Sequence, residues 1–218
     1  MDLRLAIFDL DGVIVDTAKY HFLAWKRLGD ELGIEFTKEH NERLKGVSRM
    51  RSLDILLEIG QQERTDQEKQ QLASKKNAWY VEYITRMDAS EILPGVRSFL
   101  EELRLAGIKI ALGSASKNAG TILERVALRG WFDVVVDGNL VSKAKPDPEV
   151  FALGASLLGM EAHQAVVFED AQAGIEAALR AKMMTIGVGD PHSLSAAHYV
   201  IPGFAEFTLD DLQKALAS

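Results

Sequence analysis

Leu3-Arg4-Leu5-Ala6-Ile7-Phe8-Asp9-Leu10-Asp11-Gly12 is the stretch that decides the fold. Residues 3–8 form a short apolar run that ends abruptly in two aspartates and a glycine. A run of this kind, bounded by turn residues, reads as a strand buried on both faces, as in a parallel sheet. Four further runs share the pattern: residues 108–112, Val134–Val136, residues 165–168 and Met184–Val188. Each is bounded by Gly, Asp, Ser or Lys. Helical patterns occupy residues 96–106, 119–128, 149–158 and 171–181. Strands alternating with helices of about ten residues predict a doubly wound α/β core with a parallel sheet. Tyr199–Ile201 adds a last short strand and Leu209–Ala217 a terminal helix.

The alternation breaks once. Between residues 18 and 92 there is no convincing strand, only amphipathic stretches at Ala18–Leu32, 38–44, 50–58 and 66–87. Residues 61–71 are polar and charge-rich, as on a solvated helix face. This predicts a helical insert, residues 16–92, set into a core made of residues 1–15 and 93–218. The linkers fall near residues 15–17 and 88–94.

Four groups of residues at strand ends carry chemistry. Asp9 and Asp11 follow the first strand, two residues apart, and ligands in open parallel sheets sit at the carboxyl ends of strands. Two carboxylates that close repel unless a cation or phosphate chemistry uses them, although an Asp-Gly pair also serves as a plain turn. Glu169 and Asp170 follow another strand and add oxygen donors suited to a hard cation such as Mg²⁺; Asp170 alone reads equally well as a helix cap. Ser114-Ala115-Ser116-Lys117-Asn118 offers a hydroxyl and helix-opening N–H groups for an anion, or simply an N-cap. Lys145-Pro146 presents a cation, where a lone loop lysine is ordinarily solvated. The repetition at four strand ends favours a site over four unrelated local features.

The 218 residues are 47% hydrophobic and 26% charged, ordinary globular composition. A net charge of −7 without a basic stripe argues against nucleic acid. The absence of cysteine removes disulfides, thiolate metal sites and cysteine nucleophiles. No signal peptide is legible at the start, and no stretch approaches the roughly 18 apolar residues that span a membrane. A cytoplasmic protein without membrane partners is the expectation.

The motifs resemble those of the haloacid dehalogenase-like superfamily of phosphotransferases over nearly the whole chain. Asp9-Leu10-Asp11-Gly12-Val13 is similar to its first motif, Ser114 to the second, Lys145-Pro146 to the third and Glu169-Asp170 to the fourth. Within it, Thr17, Tyr20-His21-Phe22, Trp25, Leu44-Lys45-Gly46-Val47-Ser48-Arg49, Lys76-Asn77 and Ser114 to Asn118 resemble the β-phosphoglucomutase family. The departures are Ala144 and Ala171, where serine is common. The resemblance implies a Rossmann-like core with a mobile helical cap and one Mg²⁺ held by Asp9, Asp11 (through its carbonyl), Glu169 and Asp170. It implies a phosphosugar site made by Thr17, His21, Trp25, Lys45, Gly46, Val47, Ser48, Arg49, Ser52, Lys76, Ala115, Ser116, Lys117 and Asn118. His21 and Lys76 resemble a cap-closure pair. A monomer is expected, because the cap must move.

In chemical terms, a carboxylate at Asp9 can attack phosphorus in line and become an aspartyl-phosphate. Asp11 can then protonate the leaving oxygen and deprotonate the incoming one, while Ser114 and Lys145 hold the transferring oxygens. The resemblance implies β-glucose 1-phosphate and glucose 6-phosphate as substrate and product, with a bisphosphate between them, and gives Arg49 the distal phosphate. A sugar-phosphate phosphatase with the same core is the alternative. A non-catalytic phosphosugar-binding protein is more remote, and a dehalogenase fits the acidic residues less well.

Overall fold

The computed structural model describes residues 2–44 and 47–217. The expectations for Lys45 and Gly46 lie outside the described residues. Six strands form one sheet: β1 (Leu5–Phe8), β2 (Lys109–Gly113), β3 (Val134–Val136), β4 (Ala165–Glu169), β5 (Met184–Val188) and β6 (Tyr199–Ile201). Their order is β3-β2-β1-β4-β5-β6, and every pairing is parallel. The doubly wound class expected from the sequence is the one observed.

Helices α5 (Val96–Leu105), α6 (Ala119–Arg125) and α9 (Leu209–Ala217) cover one face of the sheet; α7 (Glu149–Leu157) and α8 (Gln172–Arg180) cover the other. Strand β1 shows why both faces are needed. Ala6 and Phe8 point to the first layer, Leu5 and Ile7 to the second, and all four are buried. The first layer is built on phenylalanine: Phe8 stacks on Phe168 of the neighbouring strand with centroids 4.7 Å apart, and Phe99 meets Phe168 edge-on.

The segment between β1 and α5 is helical: α1 (Ala18–Leu32), α2 (Lys38–Glu42), α3 (Arg49–Ile59) and α4 (Asp66–Ile84). It buries an apolar cluster of its own, in which Trp25 and Leu28 of α1 meet Leu53 and Leu56 of α3 and Ala73 of α4. Two linkers join it to the sheet side by side. Val15 bridges Ile92 in antiparallel fashion, and Leu93 N–H donates to the Ile14 carbonyl at 3.0 Å.

Boundaries differ from the expected ones where backbone chemistry overrides apolar period. Residues 61–65 are loop rather than helix, because Gln61 takes a left-handed φ of 50° and Thr65 begins α4 through a capping box with Glu68. Helix α6 stops at Arg125, short of residue 128, ahead of the left-handed turn at Ala127, φ 56°. Helix α4 ends at Ile84 and α2 at Glu42, each earlier than expected. Strand β1 begins at Leu5, not at residue 3.

Candidate active site

The chain leaves β1 toward β2 on one side, and it leaves β4 toward β5 on the other. The carboxyl ends of β1 and β4 therefore flank the switch point where ligands collect in sheets of this topology. The register pairs Phe8 with Phe168, so Asp9 emerges beside Glu169, and Asp9 N–H donates to the Phe168 carbonyl at 3.0 Å. Lys145 arrives on the loop after β3. Its ammonium donates to Asp9 Oδ1 at 2.5 Å and to Glu169 Oε2 at 2.8 Å, and it lies 4.8 Å from the Phe151 ring centroid. All three side chains are buried. Burial alone would lower the lysine, but the two carboxylates overcome it and hold the ammonium above its ordinary range. Burial also pushes the Glu169 carboxyl upward, with Lys145 opposing and Asp9 adding repulsion.

Carboxylate oxygens of Asp9, Glu169 and Asp170 lie within 4.8 Å of one another, three hard donors around one small volume. That set fits a divalent cation of the Mg²⁺ type. Two glycines keep the volume open. A Cβ on Gly12, whose φ is +83°, would sit 2.2 Å from Asp170 Oδ2, and one on Gly174 would sit 2.0 Å from Glu169 Oε2. The capping position of α8 is Ala171, with no side-chain bond of its own, and Ala171 N–H donates to Glu169 Oε1 at 3.0 Å.

Asp11 faces a different neighbour. Its N–H donates to Asp9 Oδ2 at 3.0 Å, while its carboxylate accepts a short hydrogen bond from the Thr17 hydroxyl. Burial, then the charge of Asp9, pushes Asp11 up to about 6, a value suited to giving and taking protons near neutrality. Thr17 occupies the capping position of α1 without capping it, and its hydroxyl proton goes to Asp11.

Ser114 follows β2, buried, with its hydroxyl accepting from Ser116 N–H at 3.1 Å. It does not cap α6, whose capping position is Asn118. Ala115 and Ser116 are partly buried beside it, and the Lys117 side chain is exposed. Asn118 Nδ2 donates to Asn77 Oδ1 of α4 at 3.0 Å, a direct tie between the sheet side and the helical segment.

From that segment, Lys76 on α4 is buried, with its ammonium 3.1 Å from His21 Nδ1 and poised over the rings of Trp25 (4.6 Å) and Tyr80 (4.7 Å). Burial, with repulsion from Arg49, brings Lys76 down to about 7, and burial keeps His21 well below its usual range. Arg49 opens α3, partly buried, and Ser48 caps that helix by accepting from Arg51 N–H. Ser52 is buried on the same helix, and Val47 packs against the insert's apolar cluster. Trp25 is buried in that cluster at 2% exposure, so packing occupies most of its surface.

Three residues here matter for reasons that only the fold makes plain. Gly174 had no visible reason to be glycine until Glu169 was seen against it. Phe151, the floor under Lys145, looked like any core residue. Tyr80 stands four residues after Lys76, on the same helix face, and that spacing was the one available signal.

The Haloacid dehalogenase-like hydrolase family model matches residues 6–188. A beta-phosphoglucomutase of Bacillus subtilis is 41% identical over 97% of this chain and 95% of its own length. A phosphorylated carbohydrates phosphatase of Thermotoga maritima is 33% identical over 88% of each chain. Among solved structures, the beta-phosphoglucomutase of Clostridium difficile superposes with a TM-score of 0.95 at 38% identity, covering 99% of this chain and 97% of that one.

Proposed function

The chain belongs to the haloacid dehalogenase-like hydrolase family, and from that premise we propose that it is a β-phosphoglucomutase. It interconverts β-D-glucose 1-phosphate and glucose 6-phosphate through an aspartyl-phosphate at Asp9 and a β-glucose 1,6-bisphosphate intermediate. Asp9 attacks phosphorus. Asp11, carboxylic acid in one half-reaction and carboxylate in the other, gives a proton to the leaving sugar oxygen and takes one from the incoming hydroxyl. Ser114 and Lys145 hold the transferring oxygens. Mg²⁺ bound by Asp9, Glu169 and Asp170, with the Asp11 carbonyl, supplies charge neutralisation between the carboxylate and the phosphate.

The observation that supports two-ended phosphate handling is the cationic group offered by the insert. Arg49 and buried Lys76 lie within electrostatic reach of one another, and Lys76 within reach of Asp11. A guanidinium suits the distal phosphate of a bisphosphate. Residues 16–92 act as a cap that closes over the sugar with His21 and Lys76, so that water does not consume the phosphoenzyme. Ser116, Lys117 and Asn118 contribute from the sheet side, and Thr17, Trp25, Val47, Ser48 and Ser52 from the cap. The reading includes a monomeric, cytoplasmic enzyme whose partner is a phosphosugar.

Incubation with β-glucose 1-phosphate and Mg²⁺, primed with a trace of the bisphosphate, tests it. Glucose 6-phosphate should accumulate in large excess over free phosphate. Free phosphate as the sole product would replace this reading with the phosphatase one. Arg49→Ala should reduce mutase turnover far more than hydrolysis of a small phosphate ester; equal losses would remove the distal-phosphate role.

A further inference from the structure

Tyr80 is 1% exposed, and its hydroxyl has no hydrogen-bond partner among the described residues. A buried donor left unpaired is rare, because its lost hydration is not recovered. The ring is well fixed: it lies 4.1 Å from His21, centroid to centroid, and carries the Lys76 ammonium over its face. Thr17 stands beside the hydroxyl, outside good hydrogen-bonding geometry, and Asp11 is close enough to act on it electrostatically. Thr17 already spends its proton on Asp11 Oδ1. Its oxygen therefore keeps lone pairs that only an outside donor can fill.

We propose that Tyr80 is a positioning residue for the acid–base group: its hydroxyl donates to Thr17 Oγ1 once the two side chains turn toward each other, completing the chain Tyr80–Thr17–Asp11. Tyr80 rides on α4 and Thr17 opens α1, while Asp11 belongs to the β1 loop. The chain thus ties the aim of Asp11 to the position of the helices. It rests on the mutase reading above.

Tyr80→Phe removes the oxygen and keeps the ring, which separates this role from packing. Wild type, Tyr80→Phe, Thr17→Val and the double variant are compared for kcat and KM on β-glucose 1-phosphate with Mg²⁺, and for Tm. Tyr80→Phe should lower kcat about tenfold, a fraction of what a placed acid–base group supplies, with KM little changed and Tm equal or higher. The double variant should be no slower than Thr17→Val. Wild-type kcat in Tyr80→Phe, losses that multiply in the double variant, or a kcat loss that tracks a fall in Tm would each overturn the inference. Failure of wild type to form glucose 6-phosphate would instead overturn the functional reading itself.

Discussion

Lys145 is the residue whose environment is most demanding. One buried ammonium neutralises two buried carboxylates, Asp9 and Glu169, at 2.5 and 2.8 Å. Removing one partner of a buried ionic group leaves the others uncompensated and costs about 3–5 kcal/mol. Lys145→Met should therefore lower Tm and abolish turnover, and added Mg²⁺ should restore part of the Tm by supplying positive charge. An unchanged Tm would show that the carboxylates tolerate each other without the lysine. Gly174 makes the complementary point. Alanine is the better helix former by about 1 kcal/mol, yet its methyl would collide with the Glu169 carboxylate. Gly174→Ala should weaken Mg²⁺ binding about 10–100-fold, as displacing a ligand's surroundings does, and calorimetric titration reads this directly. Full Mg²⁺ affinity in that variant would mean that the carboxylate has room to move.

Among the elements, α4 links stability to the site. It carries Lys76, Asn77 and Tyr80, and it is started by Thr65, whose hydroxyl accepts from Glu68 N–H while Glu68 returns a bond to Thr65 N–H at 2.8 Å. The cap lies far along the helix from the residues that face Asp11. Thr65→Ala should cost about 1 kcal/mol of stability with kcat unaltered, measured by denaturant unfolding and the mutase assay. A large loss of kcat at preserved stability would place Thr65 nearer the chemistry than the fold suggests.

For the whole molecule, the buried Lys76 sets a pH dependence. Its folded value, about 7, lies below the unfolded value near 10.5. The unfolded chain therefore holds that proton across the interval and the folded chain does not, so this group's contribution is present above about 10.5, is lost as pH falls toward 7, and is constant below. Lys76→Met should raise Tm relative to wild type at pH 7, and the gap should narrow steadily toward pH 10. A gap independent of pH would mean that the lysine stays charged when folded. The same variant should lose mutase activity, since the amine that meets His21 is gone.

The alternation of apolar runs with amphipathic ones was enough to define a doubly wound sheet and the helical interruption after β1, because hydrophobic period is a local property of sequence. Asp9, Ser114, Glu169 and Asp170 were legible for a related reason: carboxyl ends of parallel strands fall on one edge whatever the details; Lys145, expected at the end of β3, instead reaches the site from the long loop between β3 and α7. Only the tertiary structure decided the rest. Whether Glu169 faces Lys145, why residue 174 must lack a side chain, and what the Tyr80 hydroxyl lacks all depend on atoms brought together from distant points of the chain. Such contacts follow from how the layers pack, and no local pattern encodes them.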